Sequence, residues 1–328
     1  MLSIKTGQDV ALPQGFLLGH VSDEVAATGC TVVLCPQGAV GSVAVCGAAP
    51  ATRETDLLTP ENAVQMVHGV VLSGGSAYGL DAASGVMRFL EEQGAGFTMG
   101  EVVVPIVVAA SLFDLDIASA TRRPDAEMGY RAAIVASSNP EATGNIGAGT
   151  GACVGRFLGP DSAMKGGLGI ASVESSDLLV SAVVAVNSFG NVFDRRTGTY
   201  IAGARLTEDD RTFIVEPMDI LPELLSVMSV QRTNTTIGAV ITNANLNKAE
   251  ALRAATMAHD GLARAIYPVH TSFDGDALFT LAKGSVAAHP DAVGTLAALA
   301  VEQAILDAVL SAEEAYGLPS ARSLRNQQ

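Results

Sequence analysis

Apolar residues fall in short blocks along the chain, not in one long run, and the blocks separate into two periods. Residues 31–34, 41–46, 69–72, 178–186, 190–193, 212–215, 236–242 and 277–282 are compact and rich in Val, Ile, Leu and Ala, as buried strands are. Residues 77–92, 248–266 and 295–316 carry longer patterns at helical spacing. In the second of these, Leu252, Ala255, Met257, Leu262 and Ile266 alternate with Arg253, His259, Asp260 and Arg264, which predicts a helix lying on a sheet. The third is apolar nearly all round, so it should be well covered. Apolar strands with helices on their faces predict sheet layers covered by helices. The pattern leaves parallel and antiparallel pairing open, and no linker or repeat divides the chain.

Composition narrows this picture. The chain has 328 residues, 48% of them hydrophobic and 16% charged, with 34 Gly and no Trp. A compact core of small side chains with close backbone approach is expected. The net charge is −15, and basic residues come at most in pairs such as Arg122-Arg123 and Arg195-Arg196. A stripe able to neutralise phosphates is therefore missing, and nucleic acid is excluded as a partner. No apolar run reaches 18 residues; 102–112 comes nearest and contains Pro105 and Ser111. The first residues lack the pattern of a signal peptide, so a cytoplasmic protein with no membrane partner is expected. Cys30, Cys35, Cys46 and Cys153 have no C-x-x-C spacing, and the five histidines are scattered. Buried thiols and no metal are the expectation.

Candidate chemistry lies where polar residues meet the apolar blocks. At 231–242 a polar Asn234-Thr235-Thr236 step enters an apolar strand pattern, which would present a hydroxyl at the mouth of a sheet. Cutting the Asn234–Thr235 bond would give Thr235 a free α-amine able to serve as its own base. The same step also reads as an ordinary strand start. Asn187 closes the apolar run 178–186 and could donate to an oxyanion or make a turn. Asp274-Gly275-Asp276 could present two carboxylates from one turn, or be a solvated turn. Around Ser73-Gly74-Gly75-Ser76, Tyr78 stands where a G-x-S-x-G elbow needs glycine. The run 147–151 fits neither phosphate-loop register. Gly74 and Gly75 are left as turn residues whose N–H groups could face an oxyanion.

In order, six segments of this chain resemble the autoproteolytic L-aminopeptidase/D-esterase family, which includes β-peptidyl aminopeptidases and nylon-oligomer hydrolases. They are 68–90 (beginning HGVVLSGGSAYGL), 104–115, 144–172, 183–190, 234–244 (NTTIGAVITNA) and 257–281 (ending SFDGDALFTL). The resemblance implies an α+β fold, a four-layer αββα sandwich of the N-terminal-nucleophile type, forming one catalytic domain over residues 1–328. It implies self-cleavage between Asn234 and Thr235, into a 234-residue α chain and a 94-residue β chain. Carried over by position, Thr235 is the nucleophile, Asn187 an oxyanion amide, and Asp274 and Asp276 the acidic pair of the nylon-hydrolase branch. In the β-peptidyl branch the matching positions would be Ser272 and Asp274. Lys165 is a further candidate. A homo-oligomer, a tetramer of αβ units, is implied by the resemblance alone, and no cofactor is expected.

Two positions depart from the pattern. Phe113 stands where some members have a tyrosine, and Gly155-Arg156 replaces a frequent Gly-Lys, exchanging a point charge for a planar fork. The activity implied is amide hydrolysis through a Thr235 acyl-enzyme, on short peptides, β-peptides or related amides and esters. Endohydrolysis of 6-aminohexanoate oligomers and acyl transfer like that of ornithine acetyltransferase are the alternatives.

Overall fold

A computed structural model describes residues 2–139, 142–206, 216–220 and 234–325. The strand expected at 212–215 and residues 231–233 of the Asn-Thr-Thr stretch lie outside these. Ten strands form the main sheet: β1 (Leu2–Thr6), β2 (Leu17–Asp23), β3 (Thr28–Val45), β4 (Thr52–Arg53), β5 (Met66–Ser73), β6 (Val107–Ser111), β7 (Gly167–Ser175), β8 (Leu178–Asn187), β9 (Thr235–Ala244) and β10 (Ala277–Val286). Their order is β1-β7-β8-β9-β10-β3-β5-β6-β4, with β2 also beside β3. Among the described strands of this sheet, only the pairs β9–β10 and β5–β6 are parallel. Among the described residues the α-helices are α1 (Ala82–Glu92), α2 (Ala126–Ile134), α3 (Lys248–Ala265), α4 (Pro290–Ser311) and α5 (Ala321–Arg325).

The long strand β3 turns this one hydrogen-bonded sheet into two facing layers. Its first half pairs with β2 and its last residues with β10, and its register against β5 shifts between Leu34 and Ala39. Pro36 and Gly38, the latter at φ +82°, sit in that irregularity, where a missing N–H and a left-handed residue are tolerated. The sequence reads there as two strands, 31–34 and 41–46, because the same residues resemble a turn.

Side-chain alternation then sorts the layers. Leu168, Ile170, Val183, Ala185, Ile237, Ala239, Phe279 and Leu281 face Val33, Val70, Leu72, Val108 and Ala110 in one buried cluster between the layers. The opposite faces of β7 to β10 (Val173, Val184, Val240, Leu278) pack under α3 and α4. Those of β3, β5 and β6 (Val32, Val71, Ala109) pack under α1 and α2. The result is the expected αββα sandwich.

α3 connects β9 to its parallel neighbour β10, so it fixes where both strands begin. It starts with a capping box: the Asn247 side chain accepts from Glu250 N–H at 3.0 Å, and the Glu250 carboxylate accepts from Asn247 N–H at 2.9 Å. Across from it, a Cβ on Gly261 would lie 2.3 Å from the Ala298 carbonyl oxygen, so the α3–α4 crossing requires glycine there. Pro290 opens α4 five residues before the predicted start. By length and composition α4 could cross a membrane, which the run-length reading did not detect; 72% of its most apolar window is buried inside the protein, as in a core helix.

Phe279, with no exposed surface, fills the space between the layers. Phe279→Ala should lower unfolding free energy by about 3–5 kcal/mol in urea denaturation. Val25→Ala, at a 77% exposed position, should change it by less than about 0.5 kcal/mol.

Candidate active site

β8 and β9 run antiparallel with Asn187 opposite Thr235, so their side chains leave the sheet on the same side. Both positions keep the parity of Ala185 and Ile237 and therefore face the inter-sheet layer. Just before β9, Asn234 makes an isolated parallel bridge with Asp274, in the register of the β9–β10 pairing and three residues ahead of its first pair, Ile237 with Ala277. Gly275 N–H donates to the Asn234 carbonyl oxygen at 2.9 Å, and Asn234 N–H donates to Phe273 O at 3.3 Å. The Thr235 hydroxyl donates to the same Asn234 oxygen. The carbonyl ahead of Thr235 is thus held by a backbone donor on one side, with the neighbouring hydroxyl against it.

Glycine at 275 is what permits this. A Cβ there would lie 2.8 Å from Thr235 Oγ1 and 2.6 Å from the Ala49 carbonyl oxygen.

Both aspartates are buried and tie the loop to the strand ends. Asp274 Oδ1 accepts from Phe189 N–H at 3.2 Å, just past β8, and Oδ2 accepts from the Thr271 N–H and hydroxyl at 3.0 and 2.6 Å. Asp276 Oδ1 accepts from Thr236 N–H at 2.8 Å, and Oδ2 lies 2.7 Å from His270 Nδ1. Burial first, and the Asp276 charge second, push the Asp274 carboxyl above the usual carboxylate range.

Asn187 is held on both sides of its amide. Its Nδ2 donates to Phe113 O at 3.0 Å and its Oδ1 accepts from Cys153 N–H at 3.0 Å. Phe113 therefore contributes through its backbone, and no ring hydroxyl is needed for that contact. Arg156 is buried and forks onto Asp116, and its Nη1 lies 3.3 Å from Cys153 Sγ. It reaches Asn187 only by way of Cys153. Lys165 Nζ donates to Thr150 O and Ala152 O at 2.9 and 2.7 Å, pinning the Gly-rich loop. Burial pulls its pKa down to about 8.

Gly74 and Gly75 differ from the expectation of available donors. Gly74 N–H is taken by Gly29 O at 2.9 Å, and Gly75 N–H by Asp114 Oδ1 at 2.7 Å. Asp114 also accepts from the Thr28 hydroxyl at 2.7 Å, and burial pushes its carboxyl up to about 6. Ser272 is exposed. Cys46 is exposed too, contrary to the expectation of four buried thiols, while Cys30, Cys35 and Cys153 are buried.

Sequence reasoning missed Gly275 as a donor, along with Thr271, His270, Cys153 and Asp116. Only Gly275 left a signal, as a glycine between two acids.

A four-layer αββα sandwich with a hydroxyl residue at the head of an inner strand is the architecture of the N-terminal-nucleophile hydrolase fold. Comparison with known proteins agrees. Residues 9–322 match the model of peptidase family S58. The chain belongs to that family and is an amide-bond hydrolase. A Mycobacterium bovis protein named an uncharacterized aminopeptidase is 43% identical over 317 residues, covering 91% of this chain and 90% of its own. A 6-aminohexanoate-oligomer endohydrolase of Agromyces sp. is 28% identical over 309 residues, covering 90% and 84%. The L-aminopeptidase D-Ala-esterase/amidase of Ochrobactrum anthropi, described as a variant of the Ntn hydrolase fold, superposes with TM-score 0.71 at 17% identity, over 98% of this chain and 95% of its own.

The raised Asp274 carboxyl predicts a pH effect. The folded chain keeps a proton that the unfolded chain loses above 3.8. The stability this group contributes is complete below that value and is lost as pH rises through the folded pKa. In uncut Thr235→Ala protein, adding Asp274→Asn should flatten the fall of Tm with rising pH above about 4. Identical slopes in calorimetry would contradict this.

Proposed function

We propose that Thr235 is the nucleophile of a self-activating aminopeptidase that acts on short peptides, β-peptides or related amides and esters. The observation that carries this reading is the Asn234 carbonyl, held by Gly275 N–H with the Thr235 hydroxyl beside it. Thr235 Oγ attacks the Asn234 carbonyl carbon, forming a C–O bond. The Asn234–Thr235 C–N bond breaks, and the hydroxyl proton ends on the departing nitrogen, which becomes the Thr235 α-amine. Water hydrolyses the ester, giving an Asn234 carboxylate and restoring the hydroxyl.

In the uncut chain Asn234 and Thr235 are only 3% and 5% exposed, so a substrate reaches Thr235 once the residues ahead of it move away. A substrate acyl group then occupies the place of the Asn234 acyl group. Gly275 N–H stabilises the developing oxyanion, and the α-amine takes the Thr235 hydroxyl proton and returns it to the leaving amine. The new ammonium lies beside the buried Asp274 and Asp276, which orient it and regain a counter-charge from it. Asn187 positions this end of β8 through its contacts to Phe113 and Cys153.

The endohydrolase relatives bring linear 6-aminohexanoate amides in as a second substrate class. The Asp-Gly-Asp loop and the threonine favour testing them alongside aminoacyl amides.

Thr235→Ala should remove more than about 10³-fold of amide turnover, whereas Thr235→Ser should retain measurable activity. Undiminished turnover in Thr235→Ala would refute the proposal, and acetyl transfer to ornithine outpacing hydrolysis would reassign the enzyme as an acyltransferase. Gly275→Ala should slow self-cleavage by about 10²-fold, because it displaces the hydroxyl from the carbonyl. A time course on denaturing gels measures this.

A further inference from the structure

Beside the acidic loop, three side chains from separate elements converge: Cys46 just past β3, His259 in α3 and His270 ahead of β10. Their ligand-type atoms lie within 4.8 Å of one another. The two imidazoles meet edge to face, with centroids 4.8 Å apart.

Their partners fix both tautomers. His259 Nε2 lies 2.9 Å from the Ala44 carbonyl oxygen, which can only accept, so Nε2 carries the proton and Nδ1 presents a lone pair. His270 Nδ1 lies 2.7 Å from the Asp276 carboxylate, so it too is the protonated nitrogen and Nε2 presents the lone pair. His259 Nδ1 and His270 Nε2 are both buried with no hydrogen-bond partner among the described residues. A buried acceptor left so loses its hydration without a replacement bond. Histidines that ligate metals show this same arrangement: one ring N–H anchored on a carboxylate or backbone carbonyl, the other nitrogen turned to the ion. His259 itself is 5% exposed.

We propose that Cys46, His259 and His270 form a binding site for a thiophilic divalent transition-metal ion, with zinc as the best fit to one sulfur and two imidazole nitrogens. Tetrahedral zinc sets such atoms about 3.3–3.6 Å apart. Cys46, exposed at a strand end, is the ligand with room to close the gap. Binding displaces the Cys46 thiol proton to solvent and leaves a fourth position for water.

The site would bear directly on the hydrolytic centre. His270 Nδ1 holds Asp276 Oδ2, Asp276 Oδ1 holds Thr236 N–H, and Cys46 N–H donates to Asp276 O at 3.0 Å. A metal here would tie the acidic loop to the end of β3 and to α3.

Cobalt(II) is the probe, because a cobalt–thiolate bond gives a near-ultraviolet charge-transfer band and tetrahedral cobalt gives intense visible bands. Titration of the whole protein should show one Co²⁺ per chain with both features, and zinc should displace it. Cys46→Ser should abolish the charge-transfer band and weaken binding at least about 100-fold, the upper end for loss of a mere outer-shell partner. His259→Gln should weaken binding comparably while Cys46 remains. Circular dichroism checks that both variants fold, and the exposed Cys46 position decides the matter if His259→Gln does not. Lack of a thiolate band in the parent, or its persistence in Cys46→Ser through Cys30, Cys35 or Cys153, would overturn the proposal.

Discussion

The Asn234 carbonyl held between the Gly275 N–H and the Thr235 hydroxyl is the contact on which the rest depends. It exists because the parallel β9–β10 register, whose first pair is Ile237 with Ala277, is carried three residues further back to the Asn234–Asp274 bridge. That register in turn depends on α3, whose capping box and glycine crossing with α4 set where β10 begins relative to β9. A shift of one residue would turn Thr235 away from the inter-sheet layer and from Asn187. The sandwich is therefore the device that brings one peptide bond, one hydroxyl and one backbone donor together.

Around that contact, charge is buried but compensated. Arg156 is paired with Asp116, Lys165 is satisfied by two carbonyls, and Asp114 by a hydroxyl and a backbone N–H. Asp274 is the group under tension, raised by burial beside Asp276. An α-ammonium produced at Thr235 would supply the cation that this pair lacks in the uncut chain. On the proposed cleavage, the same acidic side chains would become the partners of the new terminus.

Much of this was legible in the sequence where burial is complete. β8 and β9 read directly as apolar runs, and α3 as an amphipathic helix, because those strands are covered on both faces and the helix on one. β1 escaped notice because it is an exposed edge strand, and β7 because glycine and serine dilute its apolar pattern. α2 is short, and its buried face is Gly129, Ala132 and Ala133, too small to register as an apolar stripe. At the site, the Asn-Thr-Thr step and the two aspartates could be found along the chain. Asp116, Cys153 and the Cys46–His259–His270 cluster could not, since their meaning lies in partners brought close only by folding. The glycines at 74 and 75 were assigned open donors because nothing local reveals that Asp114, 39 residues after Gly75, accepts one of them.

The central claim is that this geometry cuts its own chain, and intact-mass measurement of the purified protein after prolonged incubation tests it most directly. Two polypeptides are expected, the second beginning at Thr235 and 94 residues long. A single uncut chain that hydrolyses amides at full rate would contradict it.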